Sequence, residues 1–512
     1  MTRQNMIQAL EAKGPALWDI CIIGGGATGL GVAVDAASRG FSTLLLERYD
    51  FAKGTSSRAT KLVHGGVRYL QQGNIKLVTE ALHERGILRK NAPHLVKDMS
   101  FIVPNYKWWE GPFYGIGLKV YDWMAGSLGL GKSRLLSREE TLELAPTLDG
   151  EGLRGGVLYH DGQFDDARLA IHLAMTAASQ GAVLLNYCRV DSLVKQQGKV
   201  TGVVATDEIS GKTHTINARV VINATGVFTD SILRMDDTGS EPIIAPSQGV
   251  HIMLDKDFLP GDAAILVPHT DDGRVLFAVP WHDKIIIGTT DTPVDSVEIE
   301  PRAQPEEVNF ILKQIGRYLR KVPQPSDIRS VYAGLRPLVK SSSKRTAELS
   351  RDHLILVADS GLITITGGKW TTYRRMAEDT VNTAIEKAGL PKRDCITADL
   401  PIHGSPENDI RSLVNAHPLL GEKIHHRLPY LRAEIVWAAR EELAMTVDDA
   451  LSRRTRSLLL DAQAAIDAAP LVAALLAEEL GRDSAWQDRQ VEEFNEIAKG
   501  YLVQTTAPAN EG

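Results

Sequence analysis

Cysteine is scarce in this chain, with three residues among 512. Cys21, Cys188 and Cys395 lie far apart, and none belongs to a C-x-x-C pair or to a Cys/His spacing typical of metal ligands. Disulfide frameworks and structural zinc sites both need closely patterned cysteines. The scarcity therefore predicts a protein of a reducing compartment without a metal site.

Long apolar runs and an excess of basic residues are missing too. No stretch approaches the roughly 18 apolar residues of a membrane-spanning helix, and residues 1–14, MTRQNMIQALEAKG, lack the apolar core of a signal peptide. The formal net charge is -7, whereas a broad nucleic-acid-binding surface needs a basic balance. We therefore expect no nucleic-acid partner, and a cytoplasmic protein or one bound only to the face of a membrane.

A chain of 512 residues is long enough for two or three domains. Strand patterns separated by turn residues recur up to about residue 400, and several alternate as in antiparallel sheets. From about residue 405 the apolar spacing becomes helical, including the long stretch 446–480 and the stretch 488–503. The pattern predicts a separate helical domain at the C-terminus.

A glycine-rich loop near the N-terminus, DICIIGGGATGL at 19–30, joins a strand to a helix. Gly24, Gly26 and Gly29 match G-x-G-x-x-G, which lets the backbone approach a pyrophosphate at a helix N-terminus. The next strand ends at Glu47, where a carboxylate can bind an adenosine ribose and would repel a 2′-phosphate. The pattern indicates a dinucleotide other than NADP. A glycine-rich turn without a ligand is the alternative.

Two later segments favour FAD over NAD. The stretch 216–226, INARVVINATG, is a buried strand that ends in a turn, and 363–373, ITITGGKWTTY, is a second strand–glycine–helix junction. FAD is long and needs contacts at both ends of its domain. A helix N-terminus at Gly367 and Gly368 could face the isoalloxazine and stabilise negative charge on the reduced ring. We therefore predict FAD as the cofactor.

Several motifs along the chain resemble those of the FAD-dependent (aerobic, respiratory) glycerol-3-phosphate dehydrogenases. The most specific is GTSSRATKLVHGGVRYL at 54–70, and others are GVHIML at 249–254, YAGLRPLV at 332–339, SRDH at 350–353, TGGKWTTYR and VDDALSRRTR at 447–456. The resemblance covers almost the whole chain. It implies oxidation of sn-glycerol 3-phosphate to dihydroxyacetone phosphate, with hydride passing to flavin N5 and electrons passing to a quinone.

The resemblance also implies an α/β fold in three domains. These are a Rossmann-like FAD-binding domain of the amino-acid-oxidase type (15–100, 150–240 and 340–395), an antiparallel-sheet substrate domain (101–149 and 241–339) and a helical C-terminal domain (400–505). A homodimer is compatible with the sequence. We expect the cofactor to be bound by Gly24, Gly25, Gly26, Ala27, Thr28, Gly29, Glu47, Thr55, Ser56, Ser57, Lys61, Leu62, His64, Gly65, Gly66, Ala224, Thr225, Gly226, Gly367, Gly368, Lys369, Thr371 and Thr372.

A phosphate substrate with a secondary alcohol needs cations and a base. Arg336 and Arg351 can bind phosphate through two N–H groups each, Lys369 can serve substrate or flavin, and Arg68 is a further candidate. Ordinary surface salt bridges are the alternative for these cations. A histidine can accept the hydroxyl proton; we predict His64 as the base and His251 as a substrate contact or alternative base, with Arg336 also in the catalytic group. A histidine in an apolar strand, such as His251, is often only a core residue.

Aromatic residues concentrate at 101–136, which holds three of the eight tryptophans, with four basic and two acidic residues. Aromatic rings mixed with lysine are typical of segments at a membrane interface, so we predict peripheral attachment to the cytoplasmic face of the inner membrane, where a quinone is available. An aromatic lid or a dimer contact is the alternative. The basic run 453–456 is a second candidate for lipid contact, or else part of a salt-bridge network.

The sequence is also compatible with other functions. A glycerol-3-phosphate oxidase would make the same product but pass electrons to oxygen and form hydrogen peroxide. Another amino-acid-oxidase-type flavoenzyme would act on an amine or a hydroxy acid. A flavin-binding module in tRNA modification or a nonenzymatic regulator is disfavoured by the acidic charge balance.

Overall fold

The computed structural model describes residues 1–14, 16–66, 74–340 and 353–503. Two large sheets and a group of C-terminal helices make up this part of the chain. The strands, in chain order, are β1 (Trp18–Ile23), β2 (Thr43–Leu46), β3 (Leu62–Val63), β4 (Val96–Asn105), β5 (Arg134–Leu136), β6 (Gly155–Phe164), β7 (Val183–Leu185), β8 (Cys188–Gln196), β9 (Lys199–Asp207), β10 (Thr213–Asn223), β11 (Ile244–Asp255), β12 (Ala264–Val267), β13 (Leu276–Trp281), β14 (Lys284–Gly288), β15 (Thr292–Pro293), β16 (Ser330–Val339), β17 (His353–Val357) and β18 (Ile363–Gly367).

The α-helices of the same ranges alternate with strands up to β18 and then follow one another. In chain order they are α1 (Arg3–Lys13), α2 (Ala27–Ser38), α3 (Ile75–Asn91), α4 (Glu110–Ala125), α5 (Arg138–Leu144), α6 (Asp166–Ser179), α7 (Thr229–Asp236), α8 (Pro305–Gly316), α9 (Tyr373–Ala388), α10 (Glu407–Ala416), α11 (Arg432–Glu441), α12 (Ser457–Leu460), α13 (Ala462–Leu480) and α14 (Ser484–Lys499). A π-helix at Asp449–Arg454 precedes α12.

The first sheet has the order β17-β18-β10-β1-β2-β7, and the antiparallel strands β9 and β8 extend from β10. Strands β1, β2, β7, β10 and β18 run parallel. Ile22 of β1 is opposite Leu45 on one side and Ile222 on the other, and all three are completely buried. Strands with such continuous apolar runs need cover on both faces. Helix α2 supplies part of it, packed against α6 and α9.

The second sheet is mostly antiparallel and has ten strands, in the order β15-β11-β14-β13-β12-β4-β6-β3, with β16 on β11 and β5 on β6. Strands β3 and β6 lie in segments that the sequence assigned to the FAD-binding domain. Pairing of Leu62 with Gln163 and of Phe101 with Tyr159 instead places these strands in the second sheet. The cofactor-binding segments are therefore interleaved with the antiparallel sheet.

The chain is helical toward the C-terminus, and side chains of α11–α14 form an apolar cluster that also includes Met253, Trp281, Ile286 and Tyr332 of the second sheet. The stretch 446–480, predicted as helical, is interrupted twice. Arg456 adopts a left-handed conformation (φ 61°), and Asp461 is extended and caps α13 by accepting from the backbone N–H of Ala464. The chain therefore turns where the periodicity alone predicts continuation.

The basic run 453–456 is buried, so the prediction that it contacts lipid is wrong. Arg453 and Arg454 are 2% and 4% exposed, and both donate to Asp50, which follows β2, at 2.5 and 2.7 Å. Buried cations need carboxylate partners because their hydration is lost. The run instead attaches the C-terminal region to the cofactor-binding region, in line with the alternative of a salt-bridge network.

No helix among residues 1–14, 16–66, 74–340 and 353–503 is long and apolar enough to cross a membrane. The same ranges contain no group of three or more His, Cys, Asp or Glu side chains that could hold a metal ion.

Candidate active site

A cavity of about 560 Å³ lies where the two sheets meet. Strand ends of the first sheet contribute the glycine loop, Glu47 and the turn after β10, and the second sheet contributes β11 and β16. Sites at the carboxyl ends of parallel strands are typical of α/β proteins. The predicted site residues that line it are Gly24, Gly26, Ala27, Thr28, Glu47, Thr55, Ser56, Leu62, His64, Ala224, Thr225, Gly226, His251, Arg336, Gly367, Gly368, Lys369 and Thr371.

The glycine loop brings the backbone close to the cavity at the start of α2. Gly24 has a φ of 109°, and a Cβ at this position would stand 2.7 Å from the carbonyl oxygen of Ala224. Gly26 precedes the first turn of α2 without a side-chain cap, so the helix N-terminus is open toward the cavity. Ser56 Oγ accepts from the backbone N–H of Ala27 at 2.9 Å. The arrangement suits an anion beside the remaining N–H groups.

Glu47 borders the cavity at the end of β2. One carboxylate oxygen accepts from the N–H of Gly25 at 2.6 Å, and the other accepts from the N–H of Tyr49 at 2.7 Å. Burial raises the pKa of this carboxyl group, while the two backbone donors oppose the rise. Since each carboxylate oxygen has two lone pairs, the group is fixed in place and retains acceptor capacity for ribose hydroxyls.

The residues around this cavity fit FAD. From Glu47 the wall continues past the glycine loop and the turn at 224–226 to Gly367 and Gly368, which both have positive φ values (77° and 71°). A Cβ on Gly368 would collide with the sulfur of Met376, so this turn needs glycine. The site could thus contact a long ligand at both ends. Glu47 would bind the ribose, the α2 N-terminus the pyrophosphate, and residues 367–371 the ring.

Several residues that were predicted to contact the cofactor lie behind the cavity wall and support its shape. A Cβ on Gly29 would collide with the carbonyl oxygen of Gly24, and one on Gly25 would stand 2.8 Å from Phe51. These glycines allow close packing of the loop and helix, the third role of such a motif. The other predicted residues in this position are Ser57, Gly65 and Thr372, whereas Gly66 lines the neighbouring cavity. Arg68 and Arg351 lie outside the described residues.

Lys61 differs most from its prediction as a flavin contact. Its side chain is fully buried, and its Nζ donates to both oxygens of Asp166 at 2.8 and 2.7 Å and to the carbonyl of Ser57 at 2.8 Å. Burial, opposed by the charge of Asp166, lowers the pKa of Lys61 to about 7. Arg456 also donates to Asp166, at 3.0 Å. Lys61 therefore holds the segment around Ser57 from behind the cavity wall and does not line the cavity.

Arg336 lies on β16 at the border of the cavity and is fixed by four neighbours. Its guanidinium donates to Asp291 Oδ1 at 3.1 Å and to Thr289 Oγ1 at 3.0 Å, and also to the carbonyls of Gln248 and Thr290. Such a fixed orientation limits the entropy lost when the group binds a ligand. Arg336 therefore presents a fixed positive charge at the border of the cavity, and its contact with a substrate phosphate remains a prediction.

His251 projects from β11 and is 3% exposed. Its Nε2 lies 2.8 Å from Thr60 Oγ1, and its ring stacks on Tyr332 with centroids 4.8 Å apart. Burial, together with the charges of Lys61 and Arg336, holds the pKa of His251 well below its usual range. The imidazole is therefore neutral near pH 7, able to orient a hydroxyl but weak as a base.

His64 occupies the junction between this cavity and a second one. Its backbone N–H is directed at Thr371 Oγ1, 3.3 Å away, which connects the stretch after β3 to the turn before α9. Its ring is 6.5 Å from that of Phe277. The structure thus brings together His64, His251, Arg336 and Lys369 around one cavity.

Sequence reasoning missed Thr60 and Gly249. Thr60 is the hydrogen-bond partner of the His251 ring, although it lies in the most specific motif of the chain. Gly249 lies two residues before His251 and packs against Arg336. The motif GVHIML, which contains Gly249, was the only indication in the sequence. The pairing of β11 with β16 explains the glycine, because it brings Gly249 next to Arg336.

Comparisons with known proteins agree with this geometry. Residues 19–374 match the family profile described as FAD dependent oxidoreductase, and residues 362–487 match the C-terminal domain of alpha-glycerophosphate oxidase. The mitochondrial glycerol-3-phosphate dehydrogenase of Macaca fascicularis is 42% identical over 97% of this chain and 74% of its own length. That of Schizosaccharomyces pombe is 38% identical over 98% of this chain and 90% of its own.

Solved structures give the same result. The glycerol-3-phosphate dehydrogenase from Bacillus halodurans, complexed with FAD, is similar with a TM-score of 0.78 and 30% identity over 99% of both chains. The L-alpha-glycerophosphate oxidase from Mycoplasma pneumoniae shares the fold, with a TM-score of 0.57 and 16% identity over 74% of this chain and 96% of its own. The predicted α/β fold and cofactor class are confirmed, and the chain belongs to the FAD-dependent glycerol-3-phosphate dehydrogenase family.

Proposed function

We propose that this protein oxidises sn-glycerol 3-phosphate to dihydroxyacetone phosphate and passes the electrons to a membrane quinone. The observation that carries the proposal is one cavity that joins the FAD-type cradle to His64, His251, Arg336 and Lys369. Bound FAD supplies the acceptor for the hydride of the substrate C2 carbon. The side chains around it bind the phosphate, orient the alcohol and accept its proton.

Two cationic side chains, Arg336 and Lys369, are the proposed binding partners of the substrate phosphate. The guanidinium of Arg336 has a fixed orientation and carries a positive charge at the border of the cavity, and phosphate oxygens would accept from its Nη atoms in exchange for some of the four present partners. Lys369 follows the turn at 367–368 and can contribute a second positive charge near the ring end of the cofactor. Arg351, predicted as a further phosphate contact, remains a prediction.

The two histidines have different roles in this proposal. The low pKa of His251 keeps its ring neutral, which suits a hydrogen bond that aligns the C2 hydroxyl. His64 lies at the mouth of both cavities and accepts the hydroxyl proton as the hydride departs. The division follows from the contrast between a fully enclosed ring and a half-buried one.

An exposed apolar face on α4 supports the proposal that the electron acceptor is a membrane quinone. Phe113, Ile116 and Trp123 of α4 are 53%, 67% and 82% exposed, and Trp108, just before the helix, is 78% exposed. An exposed apolar patch of this kind marks an interaction surface, and the lysines of segment 101–136 suit anionic lipid headgroups. We propose that α4 attaches the protein peripherally to the cytoplasmic face of the inner membrane.

The decisive experiment is anaerobic addition of sn-glycerol 3-phosphate to the FAD-loaded protein. We expect loss of the visible flavin absorbance, because the ring is reduced without another electron source. Glycerol is the matched control, since it has the alcohol but no phosphate for Arg336. Unchanged absorbance with sn-glycerol 3-phosphate would reject the proposal. Oxygen uptake compared with reduction of a quinone analogue then separates the dehydrogenase from the oxidase, which the similarity to dehydrogenases disfavours.

A further inference from the structure

The backbone of His64 is held from two directions. On one side, Thr371 Oγ1 accepts from the N–H of His64 at 3.3 Å and donates to its carbonyl at 3.4 Å. On the other side, the N–H of Gly65 donates to the hydroxyl of Tyr121 at 2.8 Å. This N–H belongs to the same peptide unit as the His64 carbonyl. Since the rotamers open to a side chain depend on its backbone, these contacts set the direction of the imidazole.

Tyr121 lies on α4, behind the segment that carries His64, and lines neither cavity. Its side chain is 1% exposed, and its hydroxyl donates to Asp161 Oδ2 at 2.7 Å. Burial and the charge of Asp161 raise the pKa of Tyr121 well above its usual range, so the hydroxyl keeps this proton. The lone pairs of the hydroxyl oxygen are then available to accept from Gly65.

The neighbours of Tyr121 leave little room for movement. Arg85 of α3 donates to the second oxygen of Asp161 at 2.7 Å, and both side chains are buried. A Cβ on Gly65 would stand 2.6 Å from the Tyr121 hydroxyl oxygen and equally close to Leu82. Separation of a buried ion pair is costly, so the pair holds the tyrosine in place. The peptide after His64 therefore has a fixed acceptor.

We propose that Tyr121 is a positioning residue for His64, whose imidazole it keeps within reach of the substrate hydroxyl by holding the peptide that follows. The inference rests on the proposed function, in which His64 accepts the hydroxyl proton. A general base must lie within hydrogen-bond distance of that proton, and a misplacement of about 1 Å can slow a reaction about 100-fold. Because Tyr121 lines neither cavity, its loss should lower the rate and not the affinity for substrate.

The test is a double-mutant cycle on the FAD-loaded protein, with anaerobic flavin reduction by sn-glycerol 3-phosphate followed by stopped-flow absorbance. Tyr121→Phe keeps the ring and removes the hydroxyl. We expect reduction at saturating substrate to be at least tenfold slower, with less than a twofold change in the half-saturating concentration. In the His64→Asn background the same substitution should change the rate less than twofold, because no base is left to position. An equal loss in both backgrounds, or no loss in either, would overturn the proposal.

Tyr114→Phe is the matched control. Tyr114 lies seven residues earlier on α4 and is 7% exposed, and its hydroxyl is 3.3 Å from His269 Nε2. The variant therefore removes a hydroxyl from the same helix without removing the contact to Gly65. It should reduce the flavin at the rate of the unmodified protein. A loss equal to that of Tyr121→Phe would assign the effect to the packing of α4 and would overturn the proposal.

Replacement of Tyr121 by 3-fluorotyrosine covers the case in which Tyr121→Phe fails to retain FAD. The fluorine withdraws electron density, so the hydroxyl oxygen accepts more weakly from Gly65 while the ring stays in place. We expect reduction to be at least twofold slower, and only when His64 is present. Equal rates for the fluorinated and unmodified proteins would overturn the proposal.

Two further outcomes separate this inference from the proposed function. An unmodified protein whose flavin is not reduced by sn-glycerol 3-phosphate would reject the proposed function itself. Reduction of the unmodified protein together with an unimpaired His64→Asn variant would leave the proposed reaction in place. It would overturn the assignment of the base, and with it the positioning role of Tyr121.

Discussion

Gly249 on β11 lies directly against the guanidinium of Arg336 on the paired strand β16. A Cβ at position 249 would collide with Nη2 of Arg336 and would stand 2.6 Å from Thr289 Oγ1. We therefore expect Gly249→Ala to displace the guanidinium and to raise the KM for sn-glycerol 3-phosphate about tenfold or more, which corresponds to about 1.4 kcal/mol of binding. Steady-state kinetics at constant flavin content would measure the change. Gly404→Ala, with no atom within 4 Å of the added carbon, is the matched control and should behave like the unmodified protein.

Cofactor retention should depend on Gly29. The added carbon in Gly29→Ala would collide with the carbonyl oxygen of Gly24, so the loop and helix α2 could not keep their packing. We expect the purified variant to contain little flavin, as measured by the ratio of visible to ultraviolet absorbance. Gly117→Ala is a control at another helical glycine whose surroundings are open. Full flavin content in Gly29→Ala would show that the close approach is unnecessary.

Separate replacement of the histidines should distinguish proton transfer from substrate orientation. General base catalysis contributes about 100-fold or more to the rate, so His64→Asn should slow flavin reduction at saturating substrate by about that factor. His251→Asn should mainly weaken binding, because the low pKa of His251 makes its ring a poor base. Stopped-flow absorbance at several substrate concentrations yields both quantities. The reverse pattern, with the larger loss of rate in His251→Asn, would assign the base to His251.

Acid should loosen the C-terminal region. The guanidinium groups of Arg453 and Arg454 lower the pKa of Asp50 from 3.8 to about 2 despite burial. Because the pKa is lower in the folded state than in the unfolded state, Asp50 contributes stability above pH 4, and this contribution is lost as the pH falls toward 2. It amounts to about 2 kcal/mol in the free energy of unfolding. Denaturation in urea at several pH values would measure it.

Two variants test that assignment. Asp50→Asn should be destabilised near pH 7 by about 3–5 kcal/mol, since two buried guanidinium groups lose a partner, and its stability should vary less between pH 5 and 2. Asp399→Asn removes an exposed pair with Lys90, which is worth at most about 1 kcal/mol. An undiminished acid dependence in Asp50→Asn would mean that other carboxylates are responsible.

Attachment to lipid should depend on the outer face of α4. Trp123 is 82% exposed, and full burial of a large apolar side chain contributes about 1.5–3 kcal/mol. We therefore expect Trp123→Ser to reduce binding to vesicles that contain anionic lipid about tenfold, as measured by co-sedimentation. Leu419→Ser removes an apolar group that is 70% exposed in the C-terminal region and should not affect binding. Equal losses of vesicle binding in both variants would indicate nonspecific adsorption of exposed apolar side chains and would contradict a membrane-facing α4.

Local patterns predicted the parts of the site that depend on local backbone. The glycine loop, Glu47, the turn at 224–226 and the turn at 367–368 all line the cavity. Each is formed within a few residues by a strand end, a glycine or a helix start, so the chemistry of those residues is sufficient to identify it.

Long-range pairing was not accessible from the sequence. Lys61 and its partner Asp166 are 105 residues apart, and no periodicity connects them, so Lys61 was assigned to the cofactor instead of to a buried ion pair. The second cavity is formed by side chains from one helix, α4, and several strands whose register had to be known first. The basic run 453–456 was ambiguous because a charged run on a helix is equally compatible with water, lipid and buried carboxylates.

The salt bridges from Asp50 to Arg453 and Arg454 join residues that are separated in the chain by 403 and 404 positions. During synthesis, the carboxylate of Asp50 beside the cofactor loop therefore has neither arginine partner until residues 453 and 454 have left the ribosome. A chain interrupted before residue 453 would bury an uncompensated acid next to Glu47, or keep the loop open to water. Closure of the cofactor loop is thus coupled to the arrival of the C-terminal region, although the two lie at opposite ends of this sequence.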